Sequence, residues 1–202
     1  MPLNCVADEA HRGEARDVLD FWFGAPGSQM HGRSRPEWFR KDAAFDDEIR
    51  RRFSALHAAA ALGERERWRE SPDSLLALIV VLDQFSRNLY SDDPRAFSQD
   101  AHALGAAQQM IANGWDRDRL PVERMFAYVP FEHAEDLATQ DRAIALFAPL
   151  EAFAETKGMV VWSQKHRAVI ERFGRFPHHN AALGRASTPE EVAFLRQPGS
   201  KF

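Results

Sequence analysis

Between His166 and Arg185 the chain gathers four arginines, three histidines and an asparagine around Gly174, Pro177 and Gly184. That composition suits an anion site. Gly174 can close one helix in the left-handed conformation, and Pro177 can open another at its first position. Phe176, just before Pro177, has no side-chain acceptor, so the free N–H groups of His178, His179 and Asn180 need water, a distant side chain or a bound anion. Arg175, His178, Asn180 and Arg185 are therefore candidate ligand-binding residues.

A second group of polar residues lies on helical faces that are otherwise apolar. Leu76 and Val80 share a face that continues into Asp83 and Arg87, with Gln84 and Asn88 beside it, so a buried surface turns ionic at one end. Asp83 precedes Arg87 by one helical turn, the favourable order for an ion pair. His133 falls on a stripe with Leu137, Gln140, Ile144 and Phe147, and His166 on another with Met159, Trp162, Ser163, Ile170 and Phe173. An imidazole beside a carboxylate in a partly apolar cleft can do general acid–base work. This makes His133, His166 and Asp83 candidate catalytic residues and Gln84, Arg87 and Asn88 candidate ligand contacts. On the same wheels Glu135 points nearly opposite to His133, and Arg172 points outward. Plainer readings stand beside these: a histidine hydrogen-bonded within the core, and an ion pair that ties helices together.

Other chemistries lack their residues. There is no His-Glu-x-x-His, no paired Glu-x-x-His, and a lone Cys5, so neither a metal site nor a cofactor is expected. Glycine-rich phosphate loops are missing, and Ser163 with His166 has no positioned acid to complete a nucleophile.

The elements that must carry these residues are helices. Apolar residues return at three- and four-residue intervals and nothing alternates for long with period two, which predicts an all-α fold. Helices are expected over 14–23, 42–62, 71–90, 134–154, 158–173 and 177–183. Proline at a first helical position marks further starts at Pro94, Pro121 and Pro189, the last with the full capping box Thr188-Pro-Glu-Glu191. About nine helices joined by short turns make successive antiparallel pairs the natural architecture. The 71–90 helix is apolar on nearly every side through Leu82 and should be central.

With 202 residues, 45% apolar and 28% charged, the chain suits one domain over 1–202, with tails at 1–13 and 197–202. A net charge of −4 argues against general nucleic-acid binding, and the unpaired cysteine fits a reducing, cytoplasmic setting. The longest aliphatic run, 75–82, is too short to span a membrane.

Several strings carry a family resemblance. They are Val18-Leu-Asp-Phe-Trp-Phe-Gly24, Trp38-Phe-Arg-Lys-Asp42, Leu82-Asp-Gln-Phe-Ser-Arg-Asn-Leu-Tyr90, Pro94-Arg-Ala-Phe97, Tyr128-Val-Pro-Phe-Glu-His-Ala-Glu-Asp136, Arg172-Phe-Gly-Arg-Phe-Pro-His-His-Asn180 and Leu183-Gly-Arg-Ala-Ser-Thr188. Over nearly its whole length the chain resembles a bacterial family catalogued as domain of unknown function number nine-twenty-four. The resemblance implies an all-helical, tetratricopeptide-like array and no established activity. Ser86, Ser91, Ala134 and His179 depart from the family pattern; at His179 a titrating imidazole replaces a fixed positive charge.

Together these observations predict a cytoplasmic helical protein whose polar cleft binds a small anionic metabolite or an acidic peptide end, with acid–base catalysis as the sharper form. The alternative is a tetratricopeptide-like interaction module that binds a partner on a concave face without chemistry.

Overall fold

The computed structural model describes the backbone of residues 3–200 and side chains from residue 11 onward. Eight α-helices run in chain order among the described residues: α1 (Leu3–Phe23), α2 (Ala43–Ala61), α3 (Pro72–Ile79, continuing to Leu89), α4 (Asp100–Ala112), α5 (Pro121–Glu132), α6 (Leu137–Phe147), α7 (Met159–Phe173) and α8 (Pro189–Leu195). No strand occurs among them, so the fold is all-α. Part of the expected tail 1–13 lies outside the described residues, and the described backbone is already helical from Leu3. At the other end Ser200 is buried and its hydroxyl donates to the Leu195 carbonyl.

Helix starts follow local chemistry. Asp42 caps α2 by accepting from Phe45 N–H at 3.0 Å, and Asp136 caps α6 by accepting from Thr139 N–H at 2.8 Å. Thr188 and Glu191 close the reciprocal capping box of α8. Two expected helices take another form. Pro94 opens only a 3-10 turn, and the helix proper begins at Asp100. Residues 177–183 hold a 3-10 turn, Pro177–His179, and a closing turn to the left-handed Gly184, too few residues to repay helix nucleation. The 134–154 segment is helical only from Leu137 to Phe147, after which Ala148–Ala152 tightens into a 3-10 turn containing Pro149.

The buried run Leu75–Leu82 makes α3 the centre of the core, flanked by α1, α2, α4 and α5. Aromatic rings fill one side: Trp22 meets Phe126 edge-on at 5.2 Å, and Phe53 stacks on Phe85 at 5.0 Å. Each such ring contributes roughly 1.5–3 kcal/mol of burial. From α3 onward helices adjacent in sequence pack in order, α4 on α5, α5 on α6 and α6 on α7. Val169, Ile170 and Phe176 form a smaller separate cluster with Phe173 and Phe194.

Inside α3 the residues Val80–Phe85 form a wider π-helical turn. Side chains satisfy carbonyls at its end: Ser86 Oγ donates to Leu82 O at 2.6 Å, and Arg87 Nη1 to Asp83 O at 2.9 Å. Such turns are costly by themselves and concentrate where a helix must re-aim a side chain. Asp83 lies within this turn.

Candidate functional site

A cleft of about 900 Å3 lies where the C-terminal ends of α3 and α5 meet the start of α7, the 34–41 segment and the turn after α7. Of the residues expected to share a site, Gln84, Arg87, Asn88, His133, His166 and His178 line it. Asp83, 1% exposed, sits just behind, and its carboxylate accepts from His133 Nδ1 at 2.6 Å. The other Asp83 oxygen accepts from Gln84 Nε2. Arg87 approaches Asp83 at 3.3 Å and clasps Asp100 with two bonds of 2.9 and 3.1 Å. Burial alone would raise the Asp83 carboxyl, but the charges of His133 and Arg87, with hydrogen bonds from His133 and Gln84, outweigh it and hold it down to about 2. Asp83 is therefore a fixed anion. It orients His133 so that the opposite ring edge is left for the cleft.

His133 is placed by a detail that differs from the expectation. α5 runs through the buried Pro130 to Glu132, and His133 caps its C-terminus instead of lying in a helix that begins after the proline. Gln140, fully buried on α6, donates to the carbonyls of Glu132 and Ala134 at 2.6 and 2.8 Å and so fixes this turn. His166 is buried, and its Nδ1 donates to the Trp162 carbonyl at 2.9 Å. Burial is the main reason its pKa falls to about 4, so it faces the cleft as a neutral ring.

Glu132 was not among the candidates, yet it lines the cleft at 3% exposure. Burial pushes its carboxyl up to about 8; the nearby Ser163 hydroxyl opposes the shift weakly and the Asp83 charge reinforces it. Among the described residues neither its Oε1 nor Ser163 Oγ makes a hydrogen bond of regular geometry; the hydroxyl stands near enough to favour the charged carboxylate without completing such a bond. The signal was present in the spacing Val122, Met125, Val129, Glu132, all buried on one face of α5.

The rim is cationic and partly aromatic. Arg40, Lys41 and Lys157 border the cleft without an ion pair among the described residues, and Phe39 and Trp162 are 55% and 45% exposed. Acids on the rim are mostly engaged: Glu155 accepts from Arg33 and from Ser34 N–H, and Asp46 from Asn88.

Arg175, Asn180 and Arg185 lie outside the cleft, because the chain supplies its own anions to them. Arg175 binds Glu191 through bonds of 2.6 and 2.8 Å, and Asn180 joins the same carboxylate and Ser187. Arg185 forks onto Glu135 at 2.7 and 2.9 Å, and Glu135 also accepts from Phe176 N–H at 2.8 Å. Glu135 is thus the acid that these donors needed. Arg172 stands at the surface with Glu190. His179 stacks on Phe97 at 4.0 Å, and burial with neighbouring positive charge lowers its pKa to about 2, so it brings no titration near neutrality. No helix among the described residues is long and apolar enough to cross a membrane.

A family model described as bacterial protein of unknown function, DUF924, matches residues 18–199. The solved structure of protein of unknown function ATU0120 from Agrobacterium tumefaciens is similar, with 39% identity and a TM-score of 0.79 over 92% of this chain and 98% of that one. No curated protein matches the sequence significantly. Nearly the whole core and every residue of the cleft fall within the matched span, and the chain belongs to this family of bacterial proteins of unknown function.

Proposed function

We propose that the cleft binds a small anionic metabolite or the acidic end of a peptide. The observation that carries this reading is the set of rim cations. Arg40, Lys41 and Lys157 have no carboxylate partner among the described residues, whereas Arg87, Arg175 and Arg185 are each neutralised within the protein. A cation without a partner beside a concave polar surface gains most from a ligand that brings the missing charge. Acid–base chemistry on that ligand is the sharper form, supported by the His133–Asp83 pair on the cleft wall. The exposed Phe39 and Trp162 favour a ligand with an apolar part and also keep the peptide-binding alternative in view.

A thermal-shift series with sulfate, phosphate, carboxylates and nucleotides, against chloride at matched ionic strength, tests the reading. A ligand selective for the folded state raises its stability. Stabilisation by particular anions beyond the chloride effect is expected, with most of it lost in Lys41→Ala and Lys157→Ala together. Equal protection by chloride, or an unchanged response in the double variant, would remove the binding claim.

A further inference from the structure

Several buried polar atoms along the cleft lack a hydrogen bond among the described residues, among them Glu37 Oε2, Trp38 Nε1 and Glu132 Oε1. Glu37 has Arg35 as an ionic neighbour at 3.9 Å, whereas Glu132 has no ion pair there. Glu132 is buried at the end of α5, and among the described residues nothing pairs its Oε1 with a well-formed hydrogen bond, the Ser163 hydroxyl being only nearby. Its neighbours explain why it cannot be a second counter-ion. Asp83 on α3 already takes His133 and shares Arg87 with Asp100, so no cation of that network is left for Glu132. On α7 the Ser163 hydroxyl stands beside it, and the neutral His166 lines the same cleft together with His178 and His179 of the following turn. A buried carboxyl with no cation beside it keeps its proton, and an acid O–H directed at a cleft is a donor waiting for an acceptor.

We propose that Glu132 donates a hydrogen bond from its carboxylic acid to an oxygen of the bound ligand, and that this ligand is a monocarboxylate with an apolar body. The inference rests on the anion-binding reading of the cleft and names its ligand class. A carboxylic acid bound to a carboxylate shares one proton in a short, charge-assisted bond, strong because only one negative charge is present. Phosphate dianions favour forked arginine sites, and the half-buried guanidinium in the wall, Arg87, is already held by Asp100 and Asp83, which leaves Arg40 at the exposed rim as a single arginine. Lys41 and Lys157 balance a single charge from the rim. Phe39 and Trp162 offer exposed faces to the carbon part.

The consequence is a specific pH dependence. Ionisation of Glu132 would set two carboxylates against each other, so affinity falls as pH rises through the Glu132 pKa of about 8. Calorimetric titration with benzoate, acetate, succinate and sulfate between about pH 6.5 and 9.5 tests this, since none of these probes titrates there. Benzoate is expected to bind more tightly than acetate, succinate or sulfate, and to weaken toward tenfold per pH unit above about pH 8. Glu132→Gln keeps an N–H donor without a titrating proton, so it should bind benzoate as wild type does near pH 7 and lose most of the alkaline fall. Glu132→Ala should bind weakly at every pH. A flat wild-type profile, the same slope in Glu132→Gln, or a preference for sulfate would overturn this assignment alone. No response to any probe or to the wider anion series would overturn the cleft reading as well.

Discussion

At the scale of single residues the cleft sets two carboxyls, near enough to feel each other's charge, in opposite states. Asp83 is charged because cations and donors surround it, and Glu132 is neutral because nothing does. Separated pKa values of this kind mark the acid and base of many working sites. Each state has a stability consequence of known sign. Glu132 is raised from 4.5 in the unfolded chain to about 8, so the stability associated with its proton is complete below 4.5 and is lost as pH rises through 8. The full loss is about 5 kcal/mol at roughly 1.4 kcal/mol per pH unit. Glu132→Gln should therefore gain on wild type steadily between about pH 5 and 8 in chemical denaturation and level off above, and a constant gap across that range would contradict the neutral-acid assignment. For Asp83→Asn the expected change is a loss of about 3 kcal/mol at pH 7, because His133 and Arg87 lose a buried partner. An unfolding midpoint within error of wild type would show that the pair is dispensable.

At the scale of elements, the ends of helices carry the argument. Gly174 closes α7 at φ 68 and Gly184 closes the following turn at φ 64, both with open space where a Cβ would stand. Alanine at either should cost about 1 kcal/mol, from backbone strain alone. Gly24 is different. At φ 84 its added Cβ would stand 2.7 Å from the backbone of Met30 and His31, so Gly24→Ala should lower the unfolding midpoint clearly more than the other two. Equal losses in all three would mean that the close approach of the 30–31 segment is not maintained. The arginines after α7 act as clamps. Arg175→Ala and Arg185→Ala should destabilise the protein with no anion present and leave its response to anions intact, since Glu191 and Glu135 are their partners.

For the whole molecule the neutral histidines set the acid limit. His57, His166 and His179 are all held below the ordinary imidazole value, chiefly by burial. A histidine with a depressed folded pKa contributes stability above its unfolded pKa of about 6.5, which disappears as pH falls toward the folded value. For His166 the window runs from 6.5 down to about 4, about 3 kcal/mol in all. Unfolding should grow easier below about pH 6.5, and His166→Gln should flatten the upper part of that slope. An acid profile governed only by carboxylates, below about pH 4, would contradict this account.

The sequence by itself determined the helical class, the central place of the 71–90 helix, the proline-marked starts of α3, α5 and α8 with the capping box of the last, and the inward faces of Asp83, Gln140 and His166. Periodicity, proline and capping residues are local signals, and each acts within one or two helical turns. Tertiary structure decided which charges meet. Arg185 lies 50 residues from Glu135 and Arg175 lies 16 from Glu191, so the apparent anion site could not be told from a pair of internal clamps until the helices were packed. The cations left for a ligand, Arg40, Lys41 and Lys157, look no different in sequence from any solvated charge. Burial is likewise a property of packing, which is why Glu132 could be seen on its stripe and still not be recognised as a neutral acid before α3 and α7 closed over it.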